Sequence, residues 1–185
     1  MDNKSNPTNI TIGLVRLSYA HLFEPTSMKE GDPAKYSSSI IIPKTDKATI
    51  AKVNAAIDAA KALGKDTKYG GKMTGLKLPL RDGDEERGDQ DEYVGGLFLN
   101  ANSNQMPGIV DIHRNKIIDP TQVYSGCYGY VNVTFYPYNF NGTRGVAVGL
   151  NHFMKTKDGE PLSGGIGVDE AFEGIDIDDD ASDLL

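Results

Sequence analysis

Residues 123–138 alternate with a period of two, the spacing of a β-strand that turns one face to a core and the other to water. Val123, Ser125, Cys127, Gly129, Val131, Val133 and Phe135 share one face, small and aliphatic enough to be buried. Tyr124, Gly126, Tyr128, Tyr130, Asn132, Thr134, Tyr136 and Tyr138 share the other, which carries five tyrosines and no aliphatic side chain. A bulge at Gly126 or Gly129 would invert part of this phase. Asn141-Gly142 then signals a tight hairpin. Residues 144–154 return with Val146, Val148, Leu150 and Met154 inward and Gly145, Ala147, Gly149 and Asn151 outward. That outward row is nearly bare beside the tyrosines. It either leaves room for a planar ligand or simply lets the sheet curve.

The same alternation predicts strands over residues 9–19, 35–42 and 96–102, with a short one inside 106–112. In the first, Ile10, Ile12 and Leu14 share one face and Val15, Leu17 and Tyr19 the other, so a bulge near Leu14 is expected. In 96–102, Leu97, Leu99 and Ala101 point inward, and Phe98, Asn100 and Asn102 outward. One segment departs from period two. Ile50, Val53, Ala56, Ile57, Ala60 and Leu63 recur at helical spacing, with Thr45 or Asp46 as cap and Gly64 as terminator. Residues 65–93 have no period and read as a long exposed excursion, functional or disordered. The predicted fold class is all-β with one inserted helix: a five-stranded β-barrel over residues 1–168, then a flexible acidic tail over 169–185.

Charge changes this picture. The chain carries a formal net charge of −7, but residues 169–185 hold eight acids and no base, leaving 18 acids against 19 bases elsewhere. Residues 82–92 hold seven of those acids and one base, Arg87. A mildly basic body thus bears two acidic appendages. The tail's charge and lack of periodicity predict disorder. A tethered polyanion competes with DNA phosphates at an effective concentration on the order of mM, and an apolar end can dock in a partner. The candidate tail residues are Asp176, Asp178, Asp179, Asp180, Asp183, Leu184 and Leu185. The alternative is a tail that only aids solubility. The single cysteine, Cys127, excludes an internal disulfide and fits a reducing cytoplasm. No apolar run approaches a membrane span, and the polar start lacks the apolar stretch of a secretion signal.

Catalytic chemistry finds no foothold. His21, His113 and His152 are scattered, zinc-ligand spacing is missing, and no phosphate-binding loop or nucleophile elbow occurs. Asp82, Asp84, Glu85 and Glu86 offer enough carboxylates for a metal-dependent nuclease or a bound divalent ion but lack the calcium-loop pattern, and a solvated acidic loop is the competing reading. No cofactor is expected. Outward rings on a curved barrel beside basic residues are the OB-fold solution for single-stranded nucleic acid. The alternative is tyrosines that merely pack. The candidate stacking residues are Tyr128, Tyr130, Tyr136, Tyr138 and Phe98, and the candidate phosphate contacts are Arg16, Lys44, Lys72, Lys77, Arg81 and Arg144.

The order of Ser18-Tyr19-Ala20-His21-Leu22-Phe23-Glu24-Pro25, Ile40-Ile41-Ile42-Pro43-Lys44, Pro79-Leu80-Arg81-Asp82-Gly83-Asp84, Leu99-Asn100-Ala101 and Val123-Tyr124-Ser125-Gly126-Cys127-Tyr128 resembles the tailed-phage single-stranded DNA-binding proteins, long known as a domain of unknown function. The resemblance spans roughly residues 15–165. It implies an OB-fold barrel and sequence-independent binding of single-stranded DNA. It also implies work in phage replication or recombination in the cytoplasm of the infected bacterial host, with the tail contacting phage or host replication and recombination proteins. A homodimer is compatible with it. A phage structural or decoration protein, its aromatics forming subunit contacts, is the competing expectation.

Overall fold

The computed structural model describes residues 6–27, 29–162 and 172–175. The tail residues Asp176, Asp178, Asp179, Asp180, Asp183, Leu184 and Leu185 lie outside them. In chain order the elements are β1 (Asn9–Thr26), β2 (Lys35–Pro43), α1 (Lys47–Gly64), β3 (Arg81–Asp82), the helical turn α2 (Gly83–Glu86), β4 (Gly96–Ser103), β5 (Gly108–Val110), β6 (Tyr128–Phe140) and β7 (Thr143–Lys157). Five strands close a barrel in the order β4-β2-β1-β6-β7 through antiparallel pairs, and a parallel contact between Asn102 of β4 and Gly149 of β7 seals it. This is an OB-fold-like barrel, with β3 on the free edge of β4 and β5 on that of β7.

The bulge expected near Leu14 is present: the β1–β6 register shifts between Ile12 and Val15. It brings Ile12, Val15 and Leu17 all into the core, which no unbroken alternation permits. α1 is capped by Asp46, whose side chain accepts from the Thr49 amide at 3.1 Å. Its Val53, Ala56, Ile57 and Ala60 join Ile12, Val133 and Phe135 in one core, while Leu63 stays exposed. Gly64 is the last helical residue and not a left-handed terminator. A Cβ there would sit 2.5 Å from the Tyr69 ring and 2.6 Å from Pro137, so its role is close packing.

Three expectations change. β6 begins at Tyr128, because Gly126 at φ +114 breaks the strand and residues 123–127 turn back onto β1. The β6–β7 register shifts between Asn132 and Val133 of β6, which buries Phe153 of β7 in place of Met154. The largest change concerns the excursion, which is folded against the barrel. Tyr69 is buried and its hydroxyl donates to Gly145 O at 2.7 Å. Lys77 bridges to Gly145 alongside β7. Residues 83–95 then lie over the outer side of β4, where Tyr93 meets Phe98 edge-on at 5.1 Å and forms, with Ile41, a second small core.

Candidate nucleic-acid interface

On β2 and β4 the alternation turns a polar row outward. Ser37 pairs with Asn102 and Ser39 with Asn100, while Ile40 and Leu99 face the core. Over this row lies a groove of about 600 Å³, walled by Tyr19, Lys35 and Arg87 among others. A cleft of about 250 Å³ shares Asn100 and Asn102 with it and continues to Lys77, Arg81, Tyr138 and Ala147. The two form one track across the outer face, crossing where β4 meets β7. A polar recess of about 300 Å³ lies over β6 and β7, lined by Asn9, Asn132, Thr134, Asn151 and His152 among others. Its amides are tied to one another. The Asn132 side-chain amide donates to Asn9 Oδ1 and Thr11 Oγ1, and that of Asn151 donates to Asn132 Oδ1 and Thr134 Oγ1.

The expected stacking residues separate into four groups. Tyr130 and Tyr136 are each 43% exposed on the outer face of β6. Tyr136 lies over Gly149 and Tyr130 over Gly13, where a Cβ would come within 2.2 Å of its ring. Tyr138 is half-buried and lines the cleft. Tyr128 is hemmed in by Arg16, at 5.3 Å from its ring centre, Lys157 at 4.7 Å, and the backbone at Gly159. Phe98 departs from its expected role. It is on the outward face of β4, as its phase requires, but Tyr93 and Arg87 cover it and it is fully buried. Alternation reports which side a residue takes and not what later chain folds over that side.

The expected phosphate contacts are also mostly engaged. Arg16 donates to the carbonyls of Gly126 and Glu160 at 3.1 and 2.9 Å. Arg144 donates to those of Tyr69, Lys72 and Thr74. Lys44 pairs with Asp82 at 2.9 Å and Asp84 at 2.7 Å, and Arg81 with Glu86 at 2.6 Å. These hydrogen bonds from Lys44 hold both aspartates below the usual carboxylate range, and they raise Lys44 in turn. Lys72 and Lys77 are exposed and have no carboxylate partner among the described residues. The carboxylates of Asp82, Asp84 and Glu86 therefore hold this segment through Lys44 and Arg81. Among the described residues no group of three or more His, Cys, Asp or Glu is arranged to hold a metal.

Sequence reasoning overlooked Tyr19 and Arg87, although Asn100 and Asn102 were legible as outward on β4; Ser37 and Ser39 of β2 were given no face. Tyr19 was masked by the β1 bulges. Arg87 was masked by the seven acids around it, whose charge hid its position.

The family model described as "Enterobacter phage Enc34, ssDNA-binding protein" matches residues 8–183. A relative, putative protein p50 of Acyrthosiphon pisum secondary endosymbiont phage 1, is 31% identical over 167 residues, 84% of this chain and 87% of that protein. The single-stranded DNA-binding protein from bacteriophage Enc34, solved in complex with ssDNA, is 26% identical with a TM-score of 0.74, covering 84% of this chain and 90% of that one. The single-stranded DNA-binding protein gp2.5 encoded by bacteriophage T7, at 17% identity and a TM-score of 0.60 over 91% of this chain and 94% of its own, shares the fold. With the barrel, the outward track and a match from residue 8 to residue 183 together, the chain belongs to the phage single-stranded DNA-binding protein family of Enterobacter phage Enc34.

Proposed function

We propose that this chain coats single-stranded DNA without regard to sequence during phage replication or recombination inside the infected bacterium. The observation that carries it is the continuous outer track from Tyr19 and Arg87 across Asn100 and Asn102 to Lys77 and Tyr138. Its position on the outer side of the second and third barrel strands is where OB-folds take oligonucleotides, and a relative of the same fold is solved with ssDNA. Tyr136 and Tyr138 offer ring faces, which every base can stack on. The mutual hydrogen bonding of Asn132 and Asn151 leaves their amide donors no spare N–H for a base edge, which favours stacking over sequence reading. The chemistry is binding without turnover. The acidic tail, residues 169–185, competes with DNA for the same track and recruits replication or recombination proteins.

The test is fluorescence anisotropy of a labelled single-stranded oligonucleotide, with unlabelled single- and double-stranded competitors, on the full chain and on a form ending at residue 168. Only single strands should displace the probe. Log affinity should fall with log salt at about 0.7 per phosphate contacted. Tyr136→Ala should cost about 1–3 kcal/mol of binding. The shortened form should bind more tightly, most at low salt. Equal competition by duplex, or an affinity indifferent to salt, would overturn the assignment, and weaker binding by the shortened form would refute the tail's competing role.

A further inference from the structure

Arg87 is the base within the acid-rich run, and it makes no ion pair among the described residues. Instead its guanidinium is set into aromatic rings. It lies 4.5 Å from the ring centre of Phe98, 4.7 Å from Tyr93 and 5.3 Å from Tyr19, and it donates to the Tyr93 hydroxyl at 2.6 Å. Arginine planes stack on rings by cation–π attraction, and also on nucleobases. Tyr19 is 53% exposed at the groove wall and its backbone is left-handed, at φ +46. A bulky residue costs energy in that conformation and holds it only when its surroundings impose it. Here the hydroxyl donates to Gln90 Oε1 at 3.0 Å, so the same segment that presents Arg87 also fixes the Tyr19 ring.

A second observation points independently to a ligand. Ser39 lies on the outward row of β2 at the groove floor, 3% exposed, and its hydroxyl has no hydrogen-bond partner among the described residues. A buried hydroxyl left unpaired is destabilising and calls for an explanation. A ligand that enters the groove supplies one.

We propose that Tyr19, Arg87 and Ser39 form a slot for a single unpaired nucleobase, in which Tyr19 and Arg87 give the stacking surface and the Ser39 hydroxyl meets the base edge. A hydroxyl both donates and accepts, so it suits any of the four bases and keeps the slot tolerant of sequence. The slot rests on the single-stranded DNA assignment above and makes residues 83–95 the arm that builds it. The Arg87 charge serves a phosphate less than its plane serves a base.

The test compares wild type with Tyr19→Ala, Tyr19→Phe, Arg87→Lys and Ser39→Ala, all as full chains, using an oligothymidine titrated at several salt concentrations alongside thermal melting. Tyr19→Ala should weaken binding about 5- to 150-fold, and Tyr19→Phe, which keeps the ring, much less. Arg87→Lys should weaken binding while leaving the salt slope unchanged, because the charge is retained and the plane is lost. Ser39→Ala should bind several-fold more weakly yet melt no lower than wild type, since it removes an unpaired hydroxyl. A merely structural role would not give that combination. Folded Tyr19→Ala and Arg87→Lys with wild-type affinity would overturn the slot and leave the DNA assignment standing. A wild-type chain that does not bind oligothymidine would overturn both.

Discussion

Arg144→Lys should cost stability without removing a charge, and so it separates a clamp from a phosphate contact. The guanidinium reaches Lys72 O at 2.7 Å and the carbonyls of Tyr69 and Thr74 at 3.2 and 3.3 Å. A hydrogen bond from a charged donor contributes ~1.5–3 kcal/mol when well formed, and the two longer bonds contribute ~0.5–1 kcal/mol each. Lysine keeps the positive charge but lacks the planar fork, and it can hold one carbonyl of the three. With the short bond kept and the two longer ones lost, the expected loss is ~1–2 kcal/mol. At ~2–4 °C per kcal/mol for a chain of this size, the melting temperature should drop by roughly 2–8 °C. The loosening should be local, since the clamp holds residues 69–77 where Lys77 N–H donates to Arg144 O and Val146 N–H to Lys77 O, each at 2.9 Å. Hydrogen exchange at the Lys77 and Val146 amides should accelerate while the salt slope of DNA binding holds. An unchanged melting temperature and unchanged exchange in Arg144→Lys, together with a salt slope reduced by about 0.7 in Arg144→Gln, would refute the clamp and restore a phosphate contact.

Two further outcomes bear on the arm. Because Lys44 depresses the pKa values of Asp82 and Asp84, their contribution to stability is complete above the usual carboxylate range and is lost as pH falls through the depressed values. The raised Lys44 adds a contribution lost only as pH climbs through its own elevated value. The Gly95 amide, which donates to Asp84 Oδ1 at 2.9 Å, should report this in NMR as a titration below the usual carboxylate range, and a midpoint inside that range would count against the pairing. Phe98→Ala should destabilise the chain by ~3–5 kcal/mol in urea unfolding, as deletion of a fully buried ring does. A loss below ~1 kcal/mol would mean that Tyr93, Phe98 and Ile41 form no core.

How much of this was legible follows from what period-two and period-3.6 patterns encode. They record which side of an element meets the core, and that held for Val131, Val133 and Phe135 and for the outward Asn100 and Asn102. The bulge near Leu14 was legible because two apolar sets cannot share one unbroken face. Contacts between distant segments were not legible. The outward glycine at 145 signalled neither a planar ligand nor curvature, because a Cβ there would meet Lys77 O at 2.2 Å, and the missing side chain admits the excursion. Met154 was placed inward because a one-residue shift at Asn151 carries no local mark. Charge alone could not distinguish a lysine open to phosphate from one already holding two aspartates.

The arm resolves an apparent contradiction in the charge pattern. A stretch with seven acids is a poor neighbour for DNA, yet it borders the groove. Asp82, Asp84 and Glu86 are turned to the barrel and neutralised by Lys44 and Arg81, so the cost falls on those two cations and not on the groove. Covering Phe98 and Ile41 removes apolar surface that would otherwise invite self-association, and it leaves Asn100 beside them exposed. Among the described residues the bases that line the track without a carboxylate partner are then Lys35, Lys77 and Arg87. Six phosphate contacts, as the sequence suggested, would give a salt slope of about 4. Three give about 2, and less still if Arg87 meets a base. Under the proposed function the barrel thus holds its strand by ring faces more than by charge.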